Sequence, residues 1–149
     1  MKLIIILLLI FPFLILPGRN KKTTLQITYN RSDTTTAWNV PESADKLKNP
    51  LAGVKEATQK GKDLFTENCI TCHGMTGLGD GPTADLLDTK PANLTSSNIQ
   101  KQSDGVLFWK ISTGKGAMVS YKQIFSEEQR WQLVNYIRQL GNQKAIQKK

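Results

Sequence analysis

The chain has 149 residues and a mass of 16.6 kDa, room for one domain with a modest core and some sequence beyond it. Charged residues make up 21% and hydrophobic ones 39%, with a mean hydropathy of −0.34, which excludes a multi-span membrane protein. The net charge of +8 is spread along the chain and forms no basic stripe with interleaved aromatics, so nucleic-acid binding finds no support.

Lys2 precedes an unbroken apolar run from Leu3 to Leu16. Such a run fits the core of a signal peptide and falls short of the ~20 residues that comfortably cross a bilayer. Leu16-Pro17-Gly18 is a poor cleavage site, and Arg19, Lys21 and Lys22 follow at once. No cysteine lies nearby, which excludes a lipid-anchored one. Residues 1–17 therefore read as an export element, either a signal peptide or a membrane anchor, with retention slightly favoured. The expected location is the periplasm or the outer face of the cytoplasmic membrane.

Residues 18–49 are rich in Thr, Asn, Asp and Ser without sustained periodicity, and read as a polar tether with a short strand at Thr24–Tyr29. The domain is expected over residues 50–142, with a basic tail over 143–149. Its first helix, within residues 51–69, carries Val54, Ala57, Gly61, Leu64 and Phe65 on one face. A glycine-rich loop runs from Gly74 to Pro82, followed by a helical turn within 83–89 and a loop over 90–98. A second helix over 103–113 is expected to end at Gly114. The last is the clearest. Ser126 and Gln129 form a capping box, Glu127 and Glu128 occupy the first turn, Trp131, Val134, Ile137 and Leu140 form the apolar face, and Gly141 is expected to end it. The fold class is all-α, three main helices with long loops.

Both cysteines and the only histidine lie in Cys69-Ile70-Thr71-Cys72-His73. This C-x-x-C-H spacing suits haem: two thiols three positions apart can each form a thioether with a vinyl group, and the next residue falls under the iron. One covalent haem c per chain is therefore expected, with His73 as axial ligand. Aromatics are only 7% of the chain, so a bound group would also complete a small core. A redox dithiol lacks the βαβ pattern it would need, and a structural zinc site would be one ligand short. A disulfide at this spacing closes a small strained loop and stabilises little.

The iron needs a sixth ligand or keeps an open position. Met1 lies in the export element and Met75 is too close to His73 to reach the other face. Met118 remains, in a loop with Gly114 and Gly116 before the last helix, and is the expected ligand rather than a core filler. His/Met ligation raises the potential and leaves no place for a substrate.

These features resemble the class I, monohaem c-type cytochromes over roughly residues 55–141. The resemblance implies a cytochrome c-like fold wrapped around the haem. It matches Gly61 and Phe65 to first-helix contact positions, and Leu133 and Tyr136 to their partners on the last helix. It implies that Pro82 contributes the carbonyl that accepts the His73 Nδ1–H bond, with Pro91 as rival. Trp109 and Lys110 would pack on the haem or meet a propionate, or else be a core aromatic and a solvated lysine. Val119-Ser120 departs from the family's usual Met-Pro pair. The function implied is that of an electron carrier, not an enzyme, serving redox protein partners through transient contacts. The alternatives are a fixed subunit of a respiratory or dehydrogenase complex, or a ligand-binding or peroxidase-type haem protein if the sixth position is open.

Overall fold

A computed structural model describes residues 38–147, with side chains through residue 143. The export element, the Thr24–Tyr29 strand, the tether up to residue 37 and the end of the basic tail lie outside the described residues. Within them, the apolar periodicity becomes helix throughout: α1 (Glu42–Asp45), α2 (Lys55–Asn68), α3 (Ile70–His73), α4 (Ser97–Gln100), α5 (Asp104–Thr113) and α6 (Glu127–Gln147), with a 3-10 turn at Ala84–Leu86. Extended pairing among the described residues is confined to one bridge between Lys115 and Met118. None of the described helices is long and apolar enough to cross a membrane.

The core forms where α2 and α5 pack on α6. Phe65, Leu133 and Val134 are its most deeply buried large side chains. A methyl group at Gly61 would collide with the carbonyl of Gln132, so the glycine is what lets α2 cross α6 with the backbones nearly touching. One turn on, the Phe65 and Tyr136 rings meet at 5.2 Å between centroids, tilted by 58°. On the other side Phe108 of α5 stacks on Trp131 of α6 at 4.0 Å. The crossing expected from Gly61, Phe65, Leu133 and Tyr136 is thus present.

The helix starts follow the sequence closely. Ser103 Oγ accepts from Val106 N–H at the head of α5. At α6, Ser126 Oγ accepts from Gln129 N–H at 3.2 Å while Gln129 Oε1 accepts from Ser126 N–H at 2.8 Å, a complete capping box. One end differs. Gly141 does not stop α6, which continues to Gln147. Its missing side chain serves close approach instead: a Cβ there would strike Gln100, whose amide donates to the carbonyls of Leu94 and Ile137.

The last twelve residues of the expected tether, 38–49, fall within the described residues. Residues 38–49 lie on the helices as a strap. Ala44 of α1 is buried, and a side chain on Gly105 would strike its carbonyl, so α1 sits directly on α5. Asn49 donates to Asp104 and to Asn135, both at 2.8 Å. Trp38 meets Trp109 edge-on at 6.0 Å, with the Lys110 and Lys115 ammonium groups 5.3 and 5.9 Å from its ring centre.

Candidate functional site

α2 runs almost directly into α3, so the CITCH segment inherits a nearly helical course. Cys69 N–H donates to Phe65 carbonyl and His73 N–H to Cys69 carbonyl, both at 2.8 Å. Positions 69, 72 and 73 are related as i, i+3 and i+4, the spacing that places side chains on one helix face. Both cysteines are free thiols. Burial pushes the Cys69 thiol up to about 12, with the Cys72 charge adding to it. Cys72 Sγ lies 3.4 Å from Thr83 Oγ1, whose own proton goes to the Thr71 carbonyl at 2.9 Å.

The loop after His73 folds back along this segment. Gly79, Gly81 and Thr83 donate their N–H groups to the carbonyls of His73, Cys72 and Thr71 in turn. Each bond is backbone to backbone, which fixes the segment from the side of its main chain. Pro82 belongs to this strip and is exposed, and the carbonyl at His73 Nδ1 is not its own. That carbonyl is Ala92's, at 3.2 Å, which corrects the expectation for Pro82 and for its rival Pro91 alike. Leu94 N–H donates to Gly77 carbonyl at 2.7 Å, and this bond brings residues 91–94 across to the ring. A main-chain acceptor has no side-chain signature, and the only hint in the sequence was the neighbouring Pro91. Burial lowers the His73 pKa, against an opposing rise from the Ala92 bond.

Met118 is half-buried and packs against the core, as do Cys69, Ile70 and Tyr121. It closes a tight turn, accepting from Lys115 N–H at 2.7 Å and donating to Lys115 carbonyl at 3.0 Å. Gly116, at φ +57°, supplies the positive dihedral that such a turn requires at its first central position. Met75, by contrast, is 61% exposed in the loop after His73. Trp109 and Lys110 are engaged elsewhere, Trp109 with Trp38 and Lys110 with Trp38 and Gln102 Oε1 at 2.8 Å.

Tyr121, which sequence reasoning passed over, joins the two parts. Its hydroxyl donates to the carbonyl of Asn68, the residue before Cys69, at 3.1 Å. Its ring stacks on Phe125 at 4.9 Å, only 6° from parallel. Burial raises its phenol pKa above the ordinary value, and the charges of Cys69 and Cys72 add to the rise. The chemistry of these groups fits a covalently held haem. Two unpaired thiols share a helix face with an imidazole whose Nδ1 is already bonded, leaving Nε2 as its free nitrogen.

Comparison with curated protein sequences returns no match. Among solved structures, a chain of the reducing HAO-like protein complex of Kuenenia stuttgartiensis is similar at 27% identity and a TM-score of 0.58. The similarity covers 63% of this chain and 49% of that one, so the chain spans about half the length of this relative. The cytochrome c family model matches residues 58–141. That match takes in the CITCH segment, the Met118 turn and the α2–α6 crossing, and the chain belongs to the cytochrome c family, whose members carry covalently bound haem c and transfer electrons through it.

Proposed function

We propose that the domain is a monohaem electron carrier with His/Met-ligated iron. Cys69 and Cys72 would hold the macrocycle through thioethers, His73 Nε2 would bind the iron on one side, and Met118 sulfur would bind it on the other. The haem, when bound, supplies a one-electron couple at its iron. The chain's own residues do the rest. The Ala92 carbonyl fixes the ring orientation and tautomer of His73 and strengthens it as a donor. The backbone strip from Gly79 to Thr83 holds the CITCH segment still. The core presented by α2, α5 and α6 keeps water away. The observation that carries this reading is the His73–Ala92 bond on the same segment as two free thiols.

Potentiometric titration of the matured protein tests it. One reversible one-electron transition is expected, at a potential that falls in Met118→Ala. Two transitions, or a potential unmoved by that change, would contradict the reading. The same account treats the protein as a carrier rather than an enzyme. On this reading it is exported, with the apolar run Leu3–Leu16 serving as a signal peptide or as a membrane anchor.

A second reading keeps the chemistry and changes the permanence of the partner. Similarity to a chain from a multi-protein complex favours a fixed subunit of a redox assembly. Co-purification of the native protein with a stoichiometric partner would select it, and a monomer that exchanges electrons through short-lived encounters would select the free carrier.

A further inference from the structure

The loop that carries Met118 continues through Val119 and Ser120, residues without the fixed backbone dihedral of a proline. Val119 is 54% exposed. The loop is nonetheless held at its far end by two side-chain hydroxyls next to each other in sequence. Ser120 Oγ donates to the Ser112 carbonyl in the last turn of α5, at 2.6 Å. Ser112 itself is buried, and its Oγ accepts from the Arg130 guanidinium of α6 while donating to the Phe108 carbonyl at 2.7 Å. Tyr121 Oη donates to the Asn68 carbonyl, and its N–H donates to the Ile111 carbonyl at 3.1 Å. One hydroxyl thus ties the loop to the α5–α6 framework, and the other ties it to the segment bearing Cys69, Cys72 and His73.

We propose that Ser120 and Tyr121 are positioning residues that act as a two-point latch on the Met118 loop and set how readily the sixth coordination position opens to an external ligand. The inference rests on the reading of Met118 as that ligand. The physical argument is one of populations. An outside ligand reaches the iron only in the fraction of molecules whose Met118 has left, so its apparent affinity scales with that fraction. Each hydroxyl bond exists in the closed loop and is exchanged for water in the open one. Its net contribution there is that of an ordinary hydrogen bond, so losing it raises the open fraction about fivefold. Tyr121→Phe removes one bond and keeps the stacking on Phe125, and Ser120→Ala removes the other.

The test is imidazole binding to the oxidised holoprotein, followed by its visible spectrum, with reduction potential as a second readout. Tyr121→Phe and Ser120→Ala are each expected to bind imidazole about fivefold more tightly than wild type. Ser120→Thr, which keeps the hydroxyl, is expected to return to wild-type affinity. Thr58→Ala, which deletes a comparable hydroxyl bond to the Val54 carbonyl on α2, is expected to leave it unchanged. Wild-type affinity in both Tyr121→Phe and Ser120→Ala, with the sulfur-to-iron charge-transfer band present in wild type, would overturn the latch alone. A wild type without that band, or one whose spectrum is indifferent to Met118→Ala, would overturn the Met118 reading and the latch with it.

Discussion

At Gly61 a single hydrogen atom decides how closely two helices approach. A Cβ at that position would press on the main chain of Gln132 and Leu133, not on a side chain that could swing aside. Relief would require α2 and α6 to separate, loosening the neighbouring Phe65–Tyr136 contact as well. Gly61→Ala is therefore expected to destabilise the holoprotein by about 1–3 kcal/mol, read as a lower urea midpoint at unchanged m-value. Unchanged stability would mean that the crossing is looser than described. Gly61 was legible through the family resemblance, which matched it to a first-helix contact position. Ala92 was not, because what it contributes is a carbonyl, and every residue has one. Tyr121 stood between these cases: an aromatic residue three positions after Met118 was visible, but its bond to Asn68 depends on how the loop folds back.

Among the elements, the strap formed by residues 38–49 extends the domain beyond what periodicity outlined. Its composition is polar and its only helix is the short α1, so nothing in the sequence marked it as packed. What holds it is a set of long-range contacts: Ala44 over Gly105, Asn49 between Asp104 and Asn135, and Trp38 against Trp109. Trp38→Ala would remove the aromatic contact and the ring beneath the Lys110 ammonium, at a cost of about 1–2 kcal/mol. Thermal unfolding of the holoprotein would show the loss, and the visible spectrum would stay the same if the strap acts on stability alone. A changed spectrum would mean that the strap also reaches the iron's surroundings. The helix starts were legible because caps are local, as Ser126 and Gln129 demonstrate. The end of α6 was not, because Gly141 is placed for Gln100, a partner far away in sequence.

For the molecule as a whole, three helices converge on one cluster, and the CITCH segment and the Met118 turn border that same cluster. A domain with so few aromatic residues has little apolar surface to spare, and covalent haem is expected to contribute to the interior as well as to the chemistry. Cys69→Ser combined with Cys72→Ser should yield a chain without covalent haem that loses cooperative unfolding by calorimetry and its near-ultraviolet circular dichroism. A sharp unfolding transition in that variant would show that the helices suffice by themselves.

The central claim is that His73 and Met118 close the two axial positions and leave an electron carrier. The most direct test is the visible to near-infrared absorption spectrum of the oxidised protein, matured in a host that attaches haem c, beside that of Met118→Ala. The account predicts a sulfur-to-iron charge-transfer band in the wild type that disappears in the variant. A high-spin wild-type spectrum without the band would contradict it and place ligand binding or catalysis ahead of electron carriage.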